Sequence, residues 1–163
     1  MKDNPVARRV RMEQLAQYMN QPETVEDAAI KLEAIGIDAL PILKQALRNP
    51  NFEVQFHAAV ALAYLESADG LAILTHAARN ERAFRVFALA AIAAVDEPES
   101  HLVLRELTGQ NPNKNEATSA ELRYGAFRAL WTLDKNDPFI FGERMNNEFS
   151  LHLLNSDGEP MIH

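Results

Sequence analysis

Three stretches of twelve residues decide the fold: Val54 to Leu65 (VQFHAAVALAYL), Phe84 to Val95 (FRVFALAAIAAV) and Leu122 to Leu133 (LRYGAFRALWTL). Laid over one another at offsets of 30 and 38 residues, they agree at five positions. These are apolar at 54/84/122, Ala at 58/88/126 and at 61/91/129, Leu or Ile at 62/92/130, and Leu or Val at 65/95/133. A weaker copy lies 30 residues before the first, with Ala28, Leu32 and Ile35 in register. On a helix this spacing puts all five side chains on one stripe, and the alanines let a paired helix approach closely. The extra eight residues of the second offset fall in Gly109 to Glu116 (GQNPNKNE), a polar loop rich in turn formers.

The segments ahead of each copy repeat as well. Leu40-Pro41-Ile42-Leu43 with Ala46-Leu47 overlies Leu71-Ala72-Ile73-Leu74 with Ala77-Ala78, and His101-Leu102-Val103-Leu104 is a poorer third. The chain therefore reads as helix pairs with turn signals between them. Asn4-Pro5 starts the first helix, as N-cap and first helical position, and it ends before Pro22. Thr24 is expected to cap the next, which stops at Gly36, and Asp38 to cap a helix with Pro41 in its first turn. Further helices are predicted over 52–66, 70–79, 82–95, 99–108 and 119–134. Alanine occurs 25 times, 19 of them between Ala28 and Ala94, which suits close-packed helices.

Pattern and spacing of this kind resemble the HEAT repeat family, in its short bacterial form also called PBS-lyase HEAT-like repeats. Ala39-Leu40-Pro41-Ile42-Leu43 with Ala46-Leu47 matches the family's first-helix signature, and Phe84-Arg85 to Val95 and Leu122-Arg123 to Leu133 match the second. The likeness covers about 24–134. It implies an all-α chain, an α-α superhelix of about four helical pairs, in which each pair buries its apolar stripe only by stacking on its neighbours. Gln55 stands where the family has arginine, which interrupts an arginine ladder between repeats. The expected organisation is a helical repeat domain at 1–136 and a C-terminal extension at 137–163. Leu151 to His163 reads as the opening of a β-rich domain and so as part of a longer protein.

Composition removes several function classes. The 163 residues include no cysteine, so disulfide frameworks, thiolate metal sites and cysteine nucleophiles are out. A net charge of -7 argues against a nucleic-acid backbone binder, the DNA-repair type of HEAT-like protein included. No apolar run approaches the ~20 residues of a membrane span, so no membrane insertion is expected. No secretory signal is visible at the start; the compartment stays open between cytoplasm and, for an excised segment of a flagellar or envelope protein, periplasm. Phosphate-cradling and nucleophile-elbow glycine motifs and the zinc-binding HExxH are all missing. His57, His76, His101, His152 and His163 lack metal-ligand spacing. Catalytic residues, metal ligands and cofactor are all expected to be none. Glu97 with Glu99, and Glu23 with Glu26 and Asp27, suit first turns of helices, where the macrodipole favours anions.

In the HEAT family the second helix of each pair lines the concave face. Opposite the core stripe that helix carries the columns Phe56/Val86/Tyr124, Val60/Ala90/Arg128 and Ala63/Ala93/Trp131. This face is largely apolar, so something is expected to cover it: the chain's own tail (Phe139, Ile140, Phe141, Phe149) or a partner protein. The candidate partner-binding residues are Phe56, Val60, Tyr124, Arg128 and Trp131. The leading expectation is a non-catalytic scaffold acting through this face in protein–protein interaction or structural assembly. Two alternatives come from resemblance. One is an enzyme or chaperone like the bilin-lyase branch of the repeat family, where Arg85, Arg123 and Arg128 would hold propionates. The other is a structural module similar to planctomycete flagellar P-ring proteins.

Overall fold

The computed structural model describes residues 4–109 and 120–133. Those residues form α1 (Pro5–Tyr18), α2 (Val25–Ile35), α3 (Leu40–Ala46), α4 (Phe52–Tyr64), α5 (Leu71–Asn80), α6 (Arg85–Val95), α7 (Pro98–Leu107) and α8 (Ala120–Leu133). Single 3-10 turns at Ile37–Ala39, Ala68–Gly70 and Arg82–Phe84 lead into α3, α5 and α6. The loop after Gly109, the 136/137 boundary and the tail lie outside the described residues.

Local chemistry explains where the helices begin and end. Asn4 caps α1 through Oδ1, which accepts from the Val6 N–H, and Pro5 occupies the first position. Gly36 ends α2 with φ 92°, a left-handed conformation that a side chain would strain. Asn51 caps α4, and Glu97 with Ser100 forms a reciprocal capping box on α7. Two expected caps are corrected. Thr24 makes no cap bond; its hydroxyl donates to the Tyr18 carbonyl and ties α2 back to α1. Asp38 sits inside the 3-10 turn, where its carboxylate pairs with Arg8 of α1 instead of capping α3.

The helices pack as four successive pairs, α1/α2, α3/α4, α5/α6 and α7/α8, and the second helices α2, α4, α6 and α8 pack on one another in that order. The repeat stripe is the core. Val54, Ala58, Ala61 and Leu62, then Ala88, Ala91, Ile92 and Val95, then Leu122, Ala126, Ala129 and Leu130 are all buried. At roughly 25 cal/mol per Å² each large apolar side chain here contributes about 1.5 to 3 kcal/mol, and the alanines contribute by bringing backbones together.

Two arginines join first to second helices in matching register. Arg85 is buried, and its guanidinium donates to the Ala78 carbonyl at 2.7 Å and the Arg79 carbonyl at 3.3 Å. Arg123 donates to the Thr108 carbonyl at 2.9 Å, the equivalent position of the next pair. Each closes carbonyls that the C-terminal end of a helix leaves open. The loop before α8 changes the spacing of the repeat but not this contact.

Two predictions follow from this packing. Gly70 lies against α4 so closely that a Cβ would stand 2.6 Å from the Ala59 Cα and Cβ. Gly70→Ala is expected to cost about 1 to 3 kcal/mol by overpacking, read as a lower urea midpoint at unchanged slope. Arg85→Met should cost about 2 to 3 kcal/mol through the carbonyls it leaves bare, while Arg82→Met, on an exposed side chain, should stay within about 0.5 kcal/mol.

Candidate binding surface

A second helix in the middle of the stack has neighbours on three sides, and that rotates its open face away from the position opposite the core stripe. On α4 the helical positions of the buried residues Val54, Phe56, Ala58, Ala59, Ala61, Leu62 and Ala63 sweep well over half of the circumference. What stays open is the strip Glu53, His57, Val60 and Tyr64, all exposed or half-buried. The same register is open on every second helix: Glu23, Asp27, Ile30 and Ala34 on and just before α2; Ala83, Phe87, Ala90 and Ala94 on and just before α6; Glu121, Gly125, Arg128 and Thr132 on α8.

This placement corrects the candidate set. Phe56 is 2% exposed and Trp131 3% exposed, so both are core. Phe56 closes an aromatic cluster between α4 and α6, its ring 4.6 Å from Phe84 and 6.1 Å from Phe52. Trp131 packs with Phe127, ring centroids 6.3 Å apart. Tyr124 is half-buried beside the strip; burial raises its phenol above the ordinary value while Arg128 pulls the other way. Val60 and Arg128 lie on the strip itself, Val60 partly buried against the core and Arg128 exposed. The five residues therefore do not form one face. Counting half a turn from the core stripe treats each pair as isolated and ignores the helices stacked on both sides. The signal that does mark the open strip is the polar pair Glu53-His57 repeating Glu23-Asp27.

The strip is chemically graded. On α6 it is wholly apolar, with Phe87 64% exposed and Val86, next to it, 72% exposed. On α2 and α4 its middle and far rows are also apolar apart from the Tyr64 hydroxyl (Ile30, Val60, Ala34, Tyr64), while its near row holds the carboxylates Glu23, Asp27 and Glu53 with His57, and Glu26 lies alongside. Asp27 is paired with Lys31 at 2.7 Å; Glu26 and Glu53 have no ion-pair partner among the described residues. What they face is His57. Burial lowers the His57 imidazole below its ordinary 6.5, and the attraction of Glu26 and Glu53, which favours the cation, is the weaker influence.

A concavity of about 860 Å³ lies between α1 and α2 and shares Glu23, Asp27 and Ala34 with the strip. Its lining is Leu15, Ala34 and Ile35 beneath Arg11, Tyr18, Glu23, Asp27 and Lys31. It is the solvated side of the first pair, and a polar rim is what a pair needs where no further helix stacks on it. Among the described residues no group of three or more His, Cys, Asp or Glu side chains is placed to hold a metal, and no helix is long and apolar enough to cross a membrane.

Paired helices stacked in this order make an all-α superhelix of the HEAT-like class. No family model matches the chain and no curated protein matches it. Among solved structures, human deoxyhypusine hydroxylase in complex with glycerol shares the fold, with TM-score 0.52 and 18% identity over 80% of this chain and 46% of that one. The chain thus spans about half the length of that enzyme's chain, and at this identity the likeness concerns the fold. The expectation of a non-catalytic scaffold is corrected: it rests on the helical repeat, and an enzyme, deoxyhypusine hydroxylase, has the same fold, so the repeat does not support it.

The His57 environment yields a pH prediction. A lowered native pKa means that the fold favours neutral imidazole, so this contribution to stability is complete above 6.5 and is lost as pH falls through the lower native value. His57→Gln is expected to flatten that decline when urea midpoints are followed from pH 7.5 down to 5. An unchanged slope would mean that His57 is not its source.

Proposed function

We propose that this chain is a HEAT-repeat protein whose described pairs form a substrate-binding element, holding a polypeptide segment against the open strip of α2, α4 and α6. The observation that carries this is the strip on α6: Ala83, Phe87, Ala90 and Ala94 present no polar side chain, with Val86 exposed beside them. An exposed apolar ridge between acidic neighbours has a cost in solubility, and a bound partner is the usual reason for keeping one. A polypeptide fits better than a small molecule. The strip is a surface running over three helices, whereas small ligands take concave sites that bury most of their area.

The reading assigns the binding step. It replaces passive scaffolding with recognition of a molecule that is acted on, in keeping with a fold shared with deoxyhypusine hydroxylase. It places no catalytic residue on the strip, and it needs none of the arginines that a propionate-binding alternative would use. Arg85 and Arg123 are committed to helix-end carbonyls.

Selection from a displayed library of helical peptides tests it, with the full chain as bait and Phe87→Asp as the counter-bait. Phe87 is exposed, so the substitution should change stability by no more than about 0.5 kcal/mol. Peptides enriched on the native chain are expected to lose at least about tenfold in affinity for Phe87→Asp. Enriched peptides that bind both forms equally would overturn the assignment of this strip.

A further inference from the structure

The strip has a direction, and that specifies what it binds. Resting on the reading above, we infer that the segment held by α2, α4 and α6 is a basic amphipathic helix, its apolar side on the strip and its lysines or arginines over the near row of α2 and α4.

The argument is one of complementarity. Three parallel rows cross the strip, the near one two positions wide (23/53/83 and 27/57/87). The middle row (Ile30, Val60, Ala90) and the far row (Ala34, Tyr64, Ala94) are apolar on all three helices apart from the Tyr64 hydroxyl. The near row changes along its length, from Glu23 and Asp27 with Glu26 at the start of α2, through Glu53 and His57 on α4, to Ala83 and Phe87 with Val86 at α6. Packed helices lie about 8 to 10 Å apart, so α2 to α6 spans roughly 20 Å, or about 13 residues of a crossing helix. Such a helix meets apolar surface along its whole underside but carboxylates along only one flank, over the α2 and α4 half. On that half acidic side chains would meet like charge, while over α6 neither sign finds a partner. Asp27 is bridged by Lys31, and Arg11 lines the α1/α2 concavity with Glu23 and Asp27, while Glu26 and Glu53 lack an ion-pair partner among the described residues and so are the two carboxylates that a basic flank would meet.

A net charge of -7 adds a long-range pull on a basic partner that salt would screen. An anionic membrane surface, the other common counterpart of an apolar face, would be repelled by the same carboxylates.

Three designed 14-residue helical peptides, each dye-labelled and sharing one apolar stripe, test the inference by fluorescence anisotropy on the full chain. One carries three lysines on a flank of its first half, the second carries glutamates there, and the third has the lysines on its second half on the same flank, which misses the carboxylates in either direction of binding. The lysine peptide is expected to bind at least fivefold tighter than the glutamate peptide at low salt. That preference should shrink with added salt and fall at least threefold in the Glu26→Gln/Glu53→Gln variant. The third peptide should bind more weakly than the first. Equal binding of the lysine and glutamate peptides, a preference unmoved in the double variant, or no binding at millimolar concentration would each overturn the basic-helix assignment. The double variant changes only exposed side chains, and its unfolding midpoint shows that the comparison is between folded proteins. Failure of the underlying reading has a different signature: binding of whichever peptide associates would then be indifferent to Phe87→Asp.

Discussion

One helix feeds both cores. The described residues bury two apolar clusters, one built from α1 to α4 and the other from α4 to α8, and α4 supplies both. Val54, Ala58, Ala61 and Leu62 face the first; Phe56, Ala59 and Ala63 face the second. A helix of 13 residues cannot do this with large side chains on every side. It does it with alanine: four of its seven buried residues are Ala58, Ala59, Ala61 and Ala63, and Gly70, in the 3-10 turn that follows the helix, lies directly against Ala59. Small residues cost little conformational entropy on burial and let the backbones approach, so that dispersion between main chains replaces the area that large side chains would have buried. Stability in such an array is shared between neighbours, and α4 is where the first two pairs are coupled to the last two.

The constraint that builds the core also explains which parts of the fold could be read from the sequence. The stripe 54/58/61/62 and its copies were legible because a helix of period 3.6 writes its buried side as a repeating pattern, and alanine at fixed positions survives the change of spacing before α8. Asp38 carries a misleading signal: Asn, Asp and Ser before an apolar run mark a cap, while a 3-10 turn of three residues leaves no periodic trace. There Asp38 is claimed by Arg8, 30 residues away, a contact that no local pattern announces. The open strip was misplaced for a related reason. Its position depends on the neighbours of a helix as well as its partner, so Phe56 and Trp131, which half-turn counting puts outside, are drawn into the layers between stacked helices.

Function was less legible still, because the fold is not specific to one. A helical repeat says that a chain has stacked pairs and an extended surface; a fold of this kind serves an enzyme as readily as a binding protein. The information lies in the departures from the repeat. Phe87 occupies the register of Asp27 and His57, and Ala83 that of Glu23 and Glu53. Stacking cannot account for these substitutions, because the positions do not face a neighbouring helix, and helix propensity separates alanine from glutamate by only a few tenths of a kcal/mol.

The same departures settle why the acidic row is a property of the surface and not of helix ends alone. Glu26 and Asp27 lie in the first turn of α2, and Glu53 in the first turn of α4, where the macrodipole stabilises a carboxylate by about 0.3 to 1 kcal/mol. That would be reason enough for acids at these places if every second helix had them. The first turn of α6 has none, and its opening residues are Arg85, Val86 and Phe87. The buried Arg85 is held by the Ala78 and Arg79 carbonyls, so the helix start brings its cation inward and leaves only apolar atoms outside. A gradient from carboxylate to phenyl along one row is therefore set helix by helix. Burial lowers the His57 imidazole below its ordinary value, which opposes a cation forming beside Glu26 and Glu53.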